Sequence, residues 1–127
     1  MAYEIERAIG EYIKNHYASA VEIGFGGKTV AAEILQSAGI PILCTDVHCY
    51  NTNVPSVVDD CVVPDLSLYR GAEVIYGIRP GLEIIPAMIF LARSVHADLL
   101  VYHLGFELYQ DGGEVIDLGP CMLHKYV

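Results

Sequence analysis

Residues 21–30 read VEIGFGGKTV, and two kinds of ligand chemistry meet in them. The tail, Gly27-Lys28-Thr29, has the ending of a phosphate-binding P-loop. The head, Glu22-x-Gly24-x-Gly26, has the start of a turn that lets a nucleoside approach bare backbone. A P-loop needs G-x-x-x-x-G-K-[ST], with the first glycine five residues before the second. That position holds Glu22. A carboxylate there points negative charge at bound phosphates, so the Gly-Lys-Thr tail reads as coincidence and as the beginning of a helix. The head has independent support. Gly24 and Gly26 follow an apolar run, and Asp46 stands 22 residues after Gly24, at the end of the next apolar run. An acid at that distance accepts hydrogen bonds from ribose hydroxyls. Asp60 ends a third short apolar run, with Asp59 beside it as an alternative because strand side chains alternate faces.

These residues need a framework that brings three strand ends together. Residues 2–17 carry Ile5, Ile9, Tyr12, Ile13 and His16 at helical spacing. Residues 19–24 read as a first strand, 28–38 as a helix stopped at Gly39, and 41–47 as a buried second strand. A brief third strand covers 57–60 and a fourth 72–78. An apolar helix spans 82–96 with Pro86 in its first turn, and a fifth strand spans 98–104. The rest reads as one antiparallel hairpin, 114–118 with 121–127. Strands alternating with helices imply an α/β, Rossmann-like, mostly parallel sheet in the order 3-2-1-4-5, with flanking helices and the hairpin at its C-terminal end. All 127 residues fit a single domain. In that order, the glycine turn, Asp46 and Asp60 converge at the carboxyl edge, where open parallel sheets bind ligands.

Val21-Glu22-Ile23-Gly24-Phe25-Gly26-Gly27 resembles the first motif of class I S-adenosylmethionine-dependent methyltransferases. Thr45-Asp46-Val47 is similar to their second motif and Val58-Asp59-Asp60 to their third. More narrowly, residues 69–80, YRGAEVIYGIRP, resemble a pattern in a small uncharacterised archaeal family of the UPF type with a truncated Rossmann-like fold. The similarity runs from about residue 18 to the C-terminus. The resemblance implies an S-adenosylmethionine or other adenosine-like ligand. It implies roles for Glu22 near the methionine amino group, Gly24 and Gly26 at the turn, Asp46 on the ribose and Asp60 at the adenine. Tyr76 and Arg79, ending the fourth strand, fall where that fold faces the reacting methyl group, and Arg79 has the fork to hold a substrate carboxylate or phosphate. An ion pair with one of the chain's sixteen acidic residues is the structural alternative for Arg79. Lys28 departs from the pattern, standing where a third glycine belongs. So does the size of the chain, which leaves only a hairpin after the fifth strand.

Two functions fit: a small methyltransferase, or a non-catalytic module that senses a nucleoside or binds a protein. NAD fits less well, because only two phosphate-loop glycines match and no second mononucleotide half is present. No residue stands out as catalytic; His103 at the end of the fifth strand is a conceivable general base, with His124 and Cys121 behind it. The four cysteines lack C-x-x-C spacing, and Cys44, Asp46, His48 and Cys49 do not fall on one strand face, so no metal site is expected. The net charge of −9, with seven basic residues spread along the chain, argues against an extended nucleic-acid surface. No apolar run approaches the ~18 residues of a membrane span. No basic-then-apolar leader opens the sequence. The expectation is therefore a cytoplasmic protein, with dimerisation as one way to close an exposed sheet edge.

Overall fold

The computed structural model describes residues 2–127. Ten regular elements follow one another: α1 (Ala2–His16), β1 (Ala20–Ile23), α2 (Val30–Ser37), β2 (Ile42–Asp46), β3 (Ser56–Val58), β4 (Val74–Ile78), α3 (Ile85–Val95), β5 (Asp98–Tyr102), β6 (Glu114–Asp117) and β7 (Met122–Lys125). They build one seven-stranded sheet in the order β3-β2-β1-β4-β5-β7-β6. The first five strands pair in parallel, as expected, and β7 and β6 pair antiparallel. The hairpin enters with its second strand against β5: Leu100 faces Lys125 and Val101 faces His124. That leaves β6 at one edge and β3 at the other.

Each sheet face has its own core. On one side, α1 and α2 cover the sheet, and Ile9, Ile13 and Leu35 pack on Val74, Tyr76, Leu100 and Leu123. On the other, α3 brings Met88 and Leu91 against Val21, Ile75, Leu99 and Val101. All of these are buried, and each large aliphatic side chain so placed contributes ~1.5–3 kcal/mol. Burial on both faces explains why β4 and residues 99–101 of β5 read as continuous apolar runs rather than alternating ones.

Several boundaries differ from the sequence reading, and each for a local reason. The helix expected over 28–38 begins at Val30, because residues 24–29 are held in the turn by Lys28 N–H donating to the Phe25 carbonyl at 3.0 Å. The third strand ends at Val58, so Asp59 and Asp60 lie just beyond it. The helix expected from residue 82 opens with a 3-10 turn, Leu82–Ile84, before α3 proper, with Pro86 in its first turn. His16, placed on the buried stripe of α1, is exposed and stacks on Tyr12 at 4.0 Å between ring centroids.

Candidate adenosyl site at the first strand–helix turn

The turn from β1 to α2 carries three consecutive-motif glycines at positive φ: Gly24 at 68°, Gly26 at 62° and Gly27 at 77°. An L-residue held in this left-handed region costs ~1–2 kcal/mol, which is why the sequence concentrates glycine here. A Cβ on Gly24 or Gly26 would meet nothing within 4 Å, so both present bare backbone to open space. Gly27 is different. Its Cβ would lie 2.8 Å from Cδ1 of Tyr50, so the absent side chain is what lets Tyr50 lie on the turn. Phe25 points inward and is buried, its ring 5.2 Å from that of Tyr50 in an edge-on contact.

Asp46, at the end of β2, reaches across to this turn. The Gly26 N–H donates to Asp46 Oδ2 at 2.9 Å, and the His48 N–H donates to Oδ1 at 3.0 Å. An ionised carboxylate has about four lone-pair sites, so Asp46 holds the turn and keeps acceptor capacity for a ligand hydroxyl.

Behind the turn is a cavity of about 170 Å³, lined by Glu6, Glu22, Gly24, Gly26, Lys28 and Arg79 among others. That is below the ~300 Å³ at which pockets begin to enclose a drug-sized molecule, and the cavity adjoins the open Gly24 and Gly26 backbone. Its floor is acidic. Glu22 is 2% exposed, and the Tyr76 hydroxyl donates to its Oε1 at 2.8 Å. Glu22 and Tyr76 sit opposite each other in the β1–β4 pairing. Burial pushes the Glu22 carboxyl up to about 8; the Tyr76 hydrogen bond opposes this and the nearby Glu6 carboxyl adds to it. Glu6, from α1, is also buried. Its place was legible in the sequence, since Glu6, Ile9 and Ile13 share one helical stripe, yet sequence reasoning missed it. The rim is basic. Among the described residues, neither Lys28 nor Arg79 has a carboxylate within 4.0 Å; Lys14 pairs with Glu11 instead.

Arg79 therefore does not form the structural ion pair held open as its alternative. Its guanidinium carbon lies 5.1 Å from the Tyr102 ring centroid, and the Arg79 backbone N–H donates to the Tyr102 carbonyl at 2.7 Å. It also adopts a φ of 57°, an uncommon conformation for an arginine.

Other expected positions are not brought to the cavity. Tyr76 is fully buried with its hydroxyl committed to Glu22, so the direct substrate contact expected of it is corrected to a supporting role. Asp59 is turned inward: it accepts from the Tyr69 hydroxyl at 2.6 Å and from the Asp65 N–H at 3.1 Å. Asp60 is exposed and accepts from the Val62 N–H at 2.9 Å, as an aspartate at a tight turn does. Cys44 is buried in the core beneath α1 and α2, and burial raises its thiol pKa well beyond the usual range. His103, Cys121 and His124 cluster at the far side of Tyr102, around a separate cavity.

The fold has counterparts among solved structures. SAM-bound CalS10, an amino pentose methyltransferase from Micromonospora echinaspora, is similar with a TM-score of 0.63 at 12% identity, over 91% of this chain and 58% of that one. A SAM-dependent methyltransferase from Aquifex aeolicus is similar with a TM-score of 0.60 at 12% identity, over 100% of this chain and 94% of that one. These likenesses establish a Rossmann-like fold. The chain spans a little over half the length of several of these neighbours, 58% for DesVI of Streptomyces venezuelae. In sequence, a UPF0146 protein of Archaeoglobus fulgidus is 37% identical over 98 residues, covering 73% of this chain and 74% of its own. A second, from Pyrococcus horikoshii, is 30% identical over 112 residues, covering 84% of this chain and 86% of its own. The model of the uncharacterised protein family UPF0146 matches residues 5–111, and the chain belongs to that family.

Proposed function

We propose that this protein binds S-adenosylmethionine, or a closely related adenosine ligand with an amino-acid end, across the β1–α2 turn. The observation that carries this reading is the charge arrangement of the 170 Å³ cavity: buried Glu22 and Glu6 on its floor, unpaired Lys28 and Arg79 at its rim. A zwitterionic amino-acid end fits this arrangement: its ammonium would draw the proton off Glu22 and pair with the carboxylate so formed, and its carboxylate would lie toward Lys28 and Arg79. The pyrophosphate of NAD or ATP offers no cation to the buried acids, so the same arrangement disfavours both. The ribose would meet the free lone pairs of Asp46, over the bare Gly24 and Gly26 backbone. The base would lie toward Asp60, which is exposed just beyond β3.

Methyl transfer from a sulfonium needs chiefly alignment of donor and acceptor, and the ligand supplies the reactive carbon. A small methyltransferase is the enzymatic form of this reading. The second form is a module that binds the ligand without transferring its methyl group. The burial of Tyr76 favours it, because that position offers nothing to a substrate.

Thermal unfolding with each of four ligands tests the reading. A ligand at 100 times its Kd adds ~2.7 kcal/mol to stability. S-adenosylmethionine and S-adenosylhomocysteine are expected to raise the Tm of the wild type, NAD and ATP to leave it unchanged, and Asp46→Ala to lose the response. No shift with the first two, or an equal shift with NAD, overturns it. Transfer of labelled methyl from S-adenosylmethionine to a cell extract then separates the enzyme from the module.

A further inference from the structure

A second cavity, of about 400 Å³, opens at the carboxyl end of β5, beneath the segment that leads to β6. That volume lies within the ~300–1,000 Å³ range of small-molecule pockets. Tyr102, His103, Phe106, Leu108, Cys121 and Met122 are among its walls. Arg79 lines the glycine-turn cavity and Tyr102 lines this one, so their stacked pair forms a shared partition. The wall is largely apolar and uncovered: Phe106, Leu108 and Met122 are each about half exposed or more, and Phe106 wholly so, with the exposed Glu107 among them.

One polar group in this wall is unsatisfied. His103 is 5% exposed, and its Nε2 lies 2.6 Å from the Tyr126 hydroxyl. That hydroxyl oxygen accepts from the Tyr109 N–H at 3.1 Å. Every polar atom of Tyr126 is satisfied when the hydroxyl donates its own proton to His103 Nε2. This tautomer places the ring proton on Nδ1, and Nδ1 is buried with no partner. Burial and the neighbouring His124 hold the imidazole below the usual histidine range, which keeps it neutral at pH 7. A buried donor without an acceptor costs ~1–3 kcal/mol and calls for an explanation.

We infer that this cavity binds a small, flat, apolar molecule carrying one hydrogen-bond acceptor, such as a carbonyl oxygen, which takes the proton of His103 Nδ1 as its donor. Nδ1 is buried in the empty protein, so binding requires the His103 ring or the wall around it to shift and open Nδ1 to the cavity. Binding would cover the apolar wall and satisfy the orphaned N–H together. With an adenosyl ligand on the other side of the Arg79–Tyr102 partition, such a molecule is the candidate methyl acceptor. That role rests on the function proposed above; the binding itself does not.

The test compares acetophenone with ethylbenzene, which has similar shape and no acceptor, titrated into isotopically labelled protein and followed by NMR. Acetophenone is expected to shift the His103 ring nitrogens and the methyl signals of Leu108 and Met122. It should bind roughly tenfold tighter than ethylbenzene, the worth of one hydrogen bond. His103→Phe should abolish that preference. Met122→Lys, at a half-exposed wall position, should abolish binding of both probes even if His103→Phe fails to fold. Both variants that fold should keep the thermal response to S-adenosylmethionine, and loss of that response in Asp46→Ala should leave acetophenone binding intact. Absence of shifts, equal binding of the two probes, or a preference that survives His103→Phe overturns the inference.

Discussion

Glu22 shows most directly how single residues divide between stability and ligand. Its carboxyl is buried, has Tyr76 as its one hydrogen-bond donor, and is pushed up to about 8 from an ordinary 4.5. The unfolded chain loses this proton above pH ~4.5, whereas the folded chain keeps it to about 8. Between those values the unfolded state binds fewer protons, so stability falls as pH rises, and above about 8 the loss is complete. At ~1.4 kcal/mol per pKa unit, the penalty is on the order of 3 kcal/mol near pH 7. Glu22→Gln keeps an acceptor for Tyr76 and cannot ionise. It should therefore unfold at a higher temperature than the wild type at pH 7.5, with the gap closing as pH falls towards 4.5. Above pH 8, where wild-type Glu22 is ionised, the same variant should bind S-adenosylmethionine at least tenfold more weakly, since a neutral amide cannot pair with an ammonium. A Gln variant that is less stable at pH 7.5, or binds equally well above pH 8, contradicts this role. The pairing of Glu22 with Tyr76 was not legible in the sequence, because it depends on the register of two strands 54 residues apart. The buried position of Glu6 was, from its spacing to Ile9 and Ile13.

Among the elements, the β1–α2 turn carries the site, and its glycines are separable from ordinary structural ones. Gly26 and Gly39 both have positive φ, 62° and 76°, and a Cβ at either would meet nothing within 4 Å. Gly39 closes α2, its N–H donating to the Gln36 carbonyl at 3.0 Å. Alanine at either position should cost a similar ~1–2 kcal/mol from left-handed strain alone. Only Gly26→Ala should also lose the ligand, because its methyl group would project into the space the ligand occupies. Paired Tm and binding measurements check this; equal ligand binding by the two variants would place the ligand elsewhere. The turn and its partner acid were readable from glycine spacing and from Asp46 at the end of the next apolar run. The start of α2 was not, since Lys28 and Thr29 suit a helix as well as the loop that holds them. The inward turn of Asp59 was hidden too, because it rests on Tyr69, which arrives through the irregular segment after β3.

At the scale of the whole molecule, strand–helix alternation and the rules for parallel crossovers pointed to a mostly parallel sheet, and the order expected for a Rossmann-like fold, 3-2-1-4-5, is the one observed. The lodging of β7 against β5, with β6 outermost, did not follow from those rules. Both hairpin strands are short and only partly buried, so their patterns do not say which of them joins the sheet. The β2–β3 side is thinly covered opposite α1 and α2, where a 3-10 turn, Leu66–Leu68, stands between β3 and β4 in place of a full helix. Val57, Val58, Val62 and Val63 remain exposed around it. Among the described residues, no helix is long and apolar enough to cross a membrane. At the carboxyl side of β1, β2 and β4, Glu22 and Arg79 line one cavity and Asp46 holds the adjoining turn through Gly26. A crystal structure with S-adenosylhomocysteine is the most direct test of that edge as a ligand site. The account predicts the ribose hydroxyls within hydrogen-bond distance of Asp46 and the amino group beside Glu22. Density for the ligand away from the Gly24–Gly26 backbone, or its carboxylate against Glu22, would contradict it.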